Sequence, residues 1–305
     1  MRIGILTATI TESDFFPNII ELKDTAEKRG HSVDIFRNGE FNLFVENGAT
    51  KLFYNQKAFF VEDYDIVLNR ISVREKSNAE YYVANEFINK NITFFNTPDA
   101  IAKARNKLLS LQIMAKLGVN LTRSAIIRRP EDLEFAVSHF NYPLVLKNIF
   151  GSLGSSTLLI YDIKQLRSTF DYLWNINRNE VILIQEYIES DDRTISDFRV
   201  FVLGDEVVAS MKRTNSDNDF RANYKKGAAV KLAEITELEK EQCLAIAKEF
   251  GLDIAGVDFI RTKNGPVFLE VNSNPGIEGI RKATQADGFD ILDKIVDYLE
   301  KRVKN

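Results

Sequence analysis

Short apolar runs alternate with amphipathic stretches over the first third of the chain, a pattern typical of strands alternating with helices. The helical stretch at 17–29 has a proline at its start and Gly30 just after its end, as helix boundaries favour. The predicted strands are Arg2–Leu6, His31–Phe36, Asp65–Ile71 and Ile92–Phe95, with a hairpin over Lys51–Phe60 and helices over Pro17–Arg29 and Asn78–Asn89. This order of elements predicts a small open α/β sheet.

A turn at 96–99 separates this part from the next, with Pro98 at the first position of a predicted helix that runs to Leu117. From Asp197 onward the pattern predicts two hairpins with a helix between them, and the polar stretch Thr214–Gly227 is predicted to be a mobile loop. The elements predicted between these parts are strands Ser124–Ile127, Pro143–Ile149, Thr157–Tyr161 and Val181–Tyr187, helices Pro130–His139 and Ile163–Trp174, and a Gly/Ser loop at Gly151–Ser156.

The composition excludes or disfavours several classes of protein and kinds of site. The chain has 305 residues and 45% hydrophobic content, enough for about two packed domains. Its net charge of −4 argues weakly against a protein that coats nucleic acid. A single cysteine, Cys243, and two distant histidines, His31 and His139, exclude an internal disulfide and a zinc cluster and disfavour a Ser–His or Cys–His nucleophile. No run of 18 apolar residues or secretory signal is present, so we expect a cytoplasmic protein without a membrane span.

The segment 255–272 is a predicted hairpin with two candidate registers. A two-residue Asn-Gly loop at 264–265 would pair Asp258 with Val271, whereas a three-residue loop pairs Asp258 with Glu270. We prefer the second register because it collects one apolar face on which Phe259 stands opposite Leu269, namely Val257, Phe259, Val267, Leu269 and Val271.

The other face of this hairpin carries Asp258, Glu270 and Asn272. Two carboxylates directly opposed across a strand pair, with Cβ atoms about 5 Å apart, destabilise the pair unless something compensates their charge. Two carboxylates and an amide oxygen are hard ligands that suit Mg²⁺ or Mn²⁺. From the hairpin alone, a metal site and a solvated acidic face are both open interpretations.

A second hairpin is predicted over Asp197–Arg213, with its turn at 204–205. A two-residue loop gives a wholly apolar face by pairing Phe198 with Met211, Val200 with Ala209, and Val202 with Val207. The opposite face begins with Asp197 and Arg199, near Lys212. Arg199 is a candidate for either a functional role or a structural salt bridge.

Basic residues lie beside small or polar segments in three places. Lys147 ends an apolar strand just before the Gly/Ser loop, which is either a phosphate cradle or a plain turn. Arg221 lies in the polar segment 219–227, which is either a solvated loop or an anion clamp. Lys107 lies on the helix that follows Pro98, where solvated charge is the default interpretation.

Several motifs occur in one order along the chain: Ala104-Arg-Asn-Lys107-Leu, Leu146-Lys147, the Gly/Ser loop, Gln185-Glu-Tyr187-Ile, Ser196-Asp-Phe-Arg199, Asp219-Phe-Arg221-Ala-Asn223, Gly256-Val-Asp258 and Leu269-Glu270-Val-Asn272-Ser-Asn-Pro275-Gly276. Together they resemble the ATP-grasp superfamily and, within it, the RimK-like glutamate ligases, over essentially the whole chain. The resemblance implies an α/β (α+β) ATP-grasp fold. It divides the chain into a small open α/β (pre-ATP-grasp) domain at 1–97, a central subdomain at 98–184 and a C-terminal, metal-carrying subdomain at 185–305.

The resemblance also implies roles for individual residues. Two Mg²⁺ or Mn²⁺ ions would be held by the positions that match the family's metal ligands, Asp258, Glu270 and Asn272. Lys107 and Lys147 match the lysines that hold ATP phosphates. The Gly/Ser loop would also bind the nucleotide, through Gly151, Ser152 and Gly154. Adenine would lie against Glu186 and Tyr187 and the ribose region against Asp197, with Arg221 and Asn223 at the triphosphate and acyl phosphate and Arg199 and Arg213 near the substrate. The family often has a glutamate where this chain has Phe150, and its loop is richer in glycine than the loop GSLGSS.

The implied function is an ATP-dependent carboxylate–amine ligase that forms an amide through an acyl phosphate. We expect it to add L-glutamate to the C-terminal carboxyl of a protein or peptide. Other acceptors stay open, namely an amino-group carrier protein, a pterin- or deazaflavin-type cofactor, or side-chain carboxylates of a ribosomal peptide. A non-catalytic ATP-binding module is the alternative from another class. We further expect a homodimer or homotetramer that binds neither nucleic acid nor membrane directly.

Overall fold

The computed structural model describes residues 1–7, 16–71, 79–149, 157–178, 181–192, 194–215 and 228–303. Its N-terminal part consists of β1 (Arg2–Thr7), α1 (Phe16–Lys28), β2 (Ser32–Arg37), β3 (Phe41–Glu46), β4 (Ala49–Tyr54), β5 (Lys57–Phe59), β6 (Ile66–Arg70), α2 (Ala79–Asn89) and β7 (Thr93–Phe95). Four strands form a parallel sheet in the order β2-β1-β6-β7, which confirms the predicted open α/β sheet. The predicted hairpin, β4–β5, lies instead in a separate antiparallel sheet with β3, a strand that the sequence analysis did not predict.

The strand order of the parallel sheet reverses between β1 and β6. From β1 the chain moves to β2 on one side and later to β6 on the other. In open α/β sheets, ligands bind outside the carboxyl ends of the strands at such a reversal point. Thr7 and Arg70 are the paired residues at these carboxyl ends.

The middle part contains α3 (Pro98–Arg105), α4 (Lys107–Lys116), β8 (Ser124–Ile127), α5 (Leu133–Val137), β9 (Leu144–Asn148), β10 (Thr157–Ile160), α6 (Ile163–Ile176) and β11 (Ile182–Glu186). The strands form an antiparallel sheet in the order β10-β9-β11-β8. One face of this sheet packs on α5 and α6 through Leu144 and Leu146 of β9. Because side chains alternate along a strand, Lys147 lies on the opposite face, as does Leu183, which packs into a core shared with the C-terminal part.

The single helix predicted from Pro98 to Leu117 is wrong, because the helix is interrupted at Asn106. Asn106 has an extended backbone, and its side chain accepts a hydrogen bond from the Leu109 N–H at 3.0 Å, so it caps a second helix. Lys107 therefore begins α4, and its N–H donates to the carbonyl of Ile149 at 3.3 Å. The interruption thus places Lys107 against the end of the strand that carries Lys147.

The C-terminal part contains β12 (Ile195–Leu203), β13 (Glu206–Asn215), β14 (Ala229–Leu232), α7 (Glu237–Phe250), β15 (Ile254–Thr262), β16 (Gly265–Asn272), α8 (Glu278–Ala286) and α9 (Ile291–Val303). Its antiparallel sheet has the order β14-β13-β12-β15-β16 and is buried on both faces. One face packs on α7, where Cys243 is fully buried as a small apolar residue. The other face shares its core with α8, α9 and the N-terminal sheet.

The register of β15–β16 confirms the predicted pairs on the acidic face, but the loop between the strands is shorter than predicted. Asp258 pairs with Glu270 and Val257 with Val271, as predicted. The predicted pairing of Phe259 with Leu269 is wrong, because a bulge at Leu269 brings Phe268 opposite Phe259 and buries its ring completely. The loop consequently has two residues, and Gly265 follows it with a φ of 100°.

The register of β12–β13 is correct only near the turn. Val202 pairs with Val207 as predicted, but a bulge at Val208 shifts every pair beyond it. The predicted pairings of Phe198 with Met211 and of Val200 with Ala209 are therefore wrong, since Phe198 pairs with Lys212, Val200 with Ser210 and Phe201 with Ala209. The shift moves Lys212 off the face that carries Asp197 and Arg199 and brings Arg213 onto it, directly opposite Asp197.

Within the described ranges, no helix is long and apolar enough to cross a membrane. The division of the chain at 97 and 184 stays a prediction, and its second boundary falls inside β11.

Candidate active site

Three oxygen-bearing side chains converge on one face of β15–β16. Asp258 and Glu270 are directly opposed, and Asn272 follows two residues later. The Asn272 Nδ2 atom lies 3.3 Å from Asp258 Oδ2 and 3.3 Å from Glu270 Oε1. The described residues contain no cluster of three or more His, Cys, Asp or Glu side chains, so this set of two carboxylates and an amide is the candidate cation site. Carboxylate and amide oxygens are the ligand types that suit a small divalent cation. In this structure the Asn272 amide donates its N–H groups to the two carboxylates.

Asp258 is held by two arginines from the neighbouring strands. Arg199 donates from Nε to Oδ1 at 2.7 Å and from Nη2 to Oδ2 at 2.6 Å, and Arg213 Nη2 donates to Oδ2 at 2.9 Å. Burial by itself raises the pKa of Asp258, but the two guanidinium charges outweigh burial and leave that pKa below its ordinary value. Asp258 is therefore an anion with a fixed orientation.

Arg213 is shared between Asp258 and a second carboxylate. Its Nε and Nη2 atoms each donate to Asp197 at 2.6 Å, and both residues are buried. Burial raises the pKa of Asp197 to about 6; the Arg213 ion pair opposes this shift and the charge of Asp258 adds to it. The sequence analysis placed Asp197 and Arg213 separately and missed their pairing, because the bulge that aligns them leaves no signal in the apolar pattern.

The two predicted phosphate-binding lysines lie near this charged face. Burial lowers the pKa of Lys147, and the charges that act on it come from Glu270, Lys107 and Asp258, in that order. Among the described residues, no carboxylate lies within salt-bridge distance of Lys147. The Lys147 amine thus lies close to the acidic pair and has no carboxylate partner among the described residues.

The segment that follows β16 folds back over β15 at Gly256. A Cβ atom on Gly256 would lie 2.9 Å from the Cβ of Pro275, so only glycine permits this packing. The Asn272 Nδ2 atom also approaches the Gly256 carbonyl, at 3.4 Å. The Gly-Val-Asp motif therefore supplies both a carboxylate and the space that seats the next segment.

This segment contacts the N-terminal sheet through Arg70. Arg70 Nη2 donates to the carbonyl of Pro275 at 3.1 Å, and Asn274 Nδ2 donates to the carbonyl of Arg70 at 2.8 Å. Arg70 is not among the site residues predicted from the sequence. The available signal was a basic residue that ends the otherwise apolar strand Ile66–Arg70.

Glu186 and Tyr187 lie at the passage from the middle sheet to the C-terminal sheet. Glu186 ends β11, and its N–H donates to the carbonyl of Arg123 at 3.0 Å. Tyr187 follows and is half-buried, and burial raises the pKa of its phenol. The structure places these two residues on the link between sheets and shows no contact between them and Asp258, Glu270 or Asn272 within the described part of the chain.

The remaining predicted site residues lie outside the described residues. They are Phe150, Gly151, Ser152 and Gly154 of the Gly/Ser loop and Arg221 and Asn223 of the polar segment.

Comparisons with known proteins show the family and the fold. Residues 1–101 match the RimK PreATP-grasp domain and residues 104–299 match the RimK-like ATP-grasp domain. The chain is 32% identical over 308 residues to a probable alpha-L-glutamate ligase of Vibrio atlanticus, covering 100% of this chain and 97% of the relative. It is 35% identical over 284 residues to one of Enterobacter sp., covering 92% and 90%. The ATP-grasp ligase PsnB, solved with a minimal precursor, Mg and ADP, shares the fold with a TM-score of 0.73 at 17% identity, covering 99% and 98%.

Proposed function

Because the chain belongs to the RimK-like ATP-grasp family of ligases, we propose that it uses ATP to join a carboxylate to an amine through an acyl phosphate. The observation that carries this proposal is the opposition of Asp258 and Glu270 across β15–β16, with the charge of Lys147 acting on both. Two like charges at this spacing are tolerated when cations and a polyphosphate lie beside them. The proposed substrates are L-glutamate and the C-terminal carboxyl of a protein or peptide.

In the proposed reaction, a carboxylate oxygen of the acceptor attacks the γ-phosphorus of ATP. The bond from phosphorus to the β–γ bridging oxygen breaks, ADP departs, and an acyl phosphate remains. The amine of the amino acid then attacks the acyl carbon, and inorganic phosphate leaves as the amide forms and the amine loses its proton. No nucleophilic side chain takes part, which agrees with the burial of Cys243 away from the charged face.

The main task of the protein is to position the reactants and to neutralise charge. Lys107 and Lys147 would bind phosphate oxygens, together with Gly151, Ser152 and Gly154 of the loop. Removing one such preorganised charge typically lowers the rate by roughly 10²–10³-fold. The remaining proposed assignments are adenine to Glu186 and Tyr187, the ribose region to Asp197, the acyl phosphate to Arg221 and Asn223, and the substrate to Arg199 and Arg213.

The geometry modifies the proposal for Arg199 and Arg213. Both guanidinium groups bind Asp258 in this structure, so their first task is to keep that carboxylate ionised and aimed at the cation. Asp258, Glu270 and Asn272 would hold two divalent cations, Mg²⁺ or Mn²⁺. Such cations would neutralise the negative charge of the ATP phosphates during phosphoryl transfer. The Mg and ADP bound to PsnB support this choice.

The choice of substrates rests on relatives. The relatives named as probable alpha-L-glutamate ligases support L-glutamate as the added amino acid. The minimal precursor bound to PsnB supports a peptide acceptor. An amino-group carrier protein, a small cofactor and side-chain carboxylates of a peptide are the other acceptors to be tested, and a homodimer or homotetramer stays a prediction.

The decisive experiment is mass spectrometry of candidate acceptors incubated with the protein, ATP, Mg²⁺ and each of the twenty amino acids, with ADP release measured in parallel. A mass increase of one glutamate residue that depends on both ATP and the acceptor is expected. The matched control is Glu270→Gln, which should give no product. Tight ATP binding without ADP release for any combination would contradict the proposal and support a non-catalytic ATP-binding module.

A further inference from the structure

Arg70 is a buried arginine that has no acidic partner among the described residues. Only 8% of its surface is exposed, and its side chain makes one hydrogen bond, to the carbonyl of Pro275, within the described residues. A guanidinium has five N–H donors, so most of its donors have no acceptor in that part of the chain. Burial lowers the pKa of Arg70 to about 10, which still leaves it positively charged at neutral pH.

Its position is that of a ligand-binding residue. Arg70 ends β6 and pairs with Thr7 of β1, at the carboxyl ends of the two strands between which the sheet order reverses. Crevices at such points bind ligands in open α/β sheets. The carbonyl that Arg70 contacts belongs to Pro275, three residues after Asn272 of the candidate cation site. Arg70 thus links the carboxyl end of the N-terminal sheet to the segment that follows the candidate cation site.

Two more polar atoms on the same segment are buried without a partner. Within the described part of the chain, neither the Ser273 hydroxyl nor the Asn274 Oδ1 atom has a hydrogen-bond partner. Buried polar groups are normally satisfied, so unsatisfied ones call for an explanation. A polar ligand that enters between the N-terminal sheet and the segment 273–275 would provide one.

Arg281 shows what an arginine with a purely structural role looks like at the same junction. It also connects the N-terminal and C-terminal parts, but it does so through two acids, Glu21 at 2.7 Å and Asp290 at 2.8 Å. A buried cation is costly unless it is paired. Arg281 is paired with two acids, whereas Arg70 has no counter-charge in the part of the chain that the structure describes.

We propose that Arg70 binds a carboxylate of a substrate and thereby selects substrates that carry one beside the reacting group. A carboxylate matches the guanidinium through two parallel hydrogen bonds. Both substrates of the proposed reaction carry a carboxylate, on the amino acid as its α-carboxylate and on the acceptor as the reacting group. This inference rests on the proposed function.

The test compares Arg70→Gln with wild type on two amino acids, L-glutamate and L-isoglutamine, whose α-carboxyl is an amide. Wild type should prefer L-glutamate by about 10²-fold in kcat/KM of amide formation, because the amide leaves the buried charge unpaired. In Arg70→Gln, kcat/KM for the two amino acids should differ by no more than about threefold, and the KM for ATP should be unchanged. Arg70→Lys keeps the charge without the paired donors and should retain a preference of about tenfold.

Arg281→Gln is the matched control, since it removes an arginine from the same junction. It should lower thermal stability and leave the preference at its wild-type value. If Arg70→Gln does not fold, Arg70→Lys decides, and an unchanged preference together with an unchanged KM for the acceptor in that variant overturns the proposal.

The outcomes also identify the substrate. Loss of the preference assigns Arg70 to the amino acid, whereas an intact preference with at least a tenfold higher KM for the acceptor assigns it to the acceptor. An intact preference with unchanged KM values overturns the inference alone. Wild-type protein that releases no ADP with any amino acid overturns the proposed function, and the inference fails with it.

Discussion

The N-terminal and C-terminal sheets both bring buried arginine to the same junction, but they use it differently. On the C-terminal sheet, Arg199 and Arg213 bind Asp258, and Arg213 also binds Asp197. On the N-terminal sheet, the Arg70 guanidinium hydrogen-bonds to a carbonyl oxygen and to no carboxylate among the described residues. A buried charge is costly until it is paired. The first arrangement is therefore complete, whereas the second lacks a counter-charge in the described part of the chain, which the proposed ligand would supply. Paired arginines therefore orient a carboxylate, and an unpaired one recognises a substrate.

The C-terminal cluster also explains how an acidic pair persists in a buried sheet. Asp197, Asp258, Arg199 and Arg213 form a group whose formal charges cancel. Glu270 then adds one negative charge opposite Asp258, and its described hydrogen bond comes from Asn272. Glu270 is accordingly the carboxylate whose compensation depends most on a cation.

The largest expected effect is that of Glu270→Gln on turnover. The substitution removes a ligand charge but keeps the size of the half-buried side chain, so turnover should fall by at least about 10²–10³-fold while the fold persists. Steady-state ADP release and far-UV circular dichroism would measure the two effects. Near-normal turnover would show that the cation assignment is wrong.

Asp258→Asn sharpens the comparison because Asp258 is both a candidate cation ligand and the carboxylate that Arg199 and Arg213 bind. It should abolish turnover as Glu270→Gln does, and it should also cost about 3–5 kcal/mol of stability, since Arg199 loses its carboxylate. Urea unfolding of the two variants side by side would test this difference. Equal stability would mean that the arginines do not depend on Asp258.

The next effect concerns Arg213. Arg213→Met leaves Asp197 buried without its bidentate partner and should destabilise the protein by about 3–5 kcal/mol. The double variant Asp197→Leu with Arg213→Met replaces the pair by apolar groups and should recover most of this loss without recovering turnover. Recovery of turnover would show that the pair has no role in orienting Asp258.

A smaller, pH-dependent effect on stability is expected at the ion pair of Glu239 and Arg261, which lies on the opposite side of the C-terminal sheet. Glu239 is buried and accepts hydrogen bonds from Arg261 at 2.8 and 2.6 Å. Burial by itself raises the pKa of Glu239, but Arg261 and the Thr236 N–H outweigh it and leave that pKa below its ordinary 4.5. Glu239 therefore stabilises the fold at neutral pH, and its contribution is lost as the pH falls below that value and through the folded pKa.

Urea unfolding of wild type and Glu239→Gln as a function of pH would test this point. The stability difference should be constant well above pH 4.5 and should shrink as the pH falls below that value. Turnover at neutral pH should be unchanged, because this pair does not belong to the candidate site. A difference that is independent of pH would contradict the assignment.

The smallest expected effect is that of Thr236→Ala. The Thr236 hydroxyl accepts from the Glu239 N–H at 3.2 Å, and Glu239 accepts from the Thr236 N–H at 2.8 Å, so the two residues form a capping box for α7. Loss of the hydroxyl should cost about 1 kcal/mol, measurable as a lower Tm without loss of turnover. A change in turnover of more than about twofold would connect α7 to the charged face.

Sequence alone determined the fold family and the acidic face. The ordered motifs identified the RimK-like ATP-grasp family, which the comparisons confirm. The opposition of Asp258 and Glu270 was predicted from the alternation of apolar residues, because the side-chain period of a strand is two. The prediction is correct for the pairs Val257–Val271 and Asp258–Glu270 and fails beyond them, at the bulge.

Tertiary structure decided what local patterns do not encode. The bulges at Leu269 and Val208 are choices between neighbouring apolar residues of similar hydrophobicity, settled by packing across the sheet. They determined that Phe268 is buried and that Arg213 faces Asp197. The position of Arg70 depends on contact between segments 205 residues apart. Whether its charge is paired therefore depends on which groups the fold brings to it. The apolar pattern of a strand cannot predict this, because it indicates only which side of its own sheet a residue occupies.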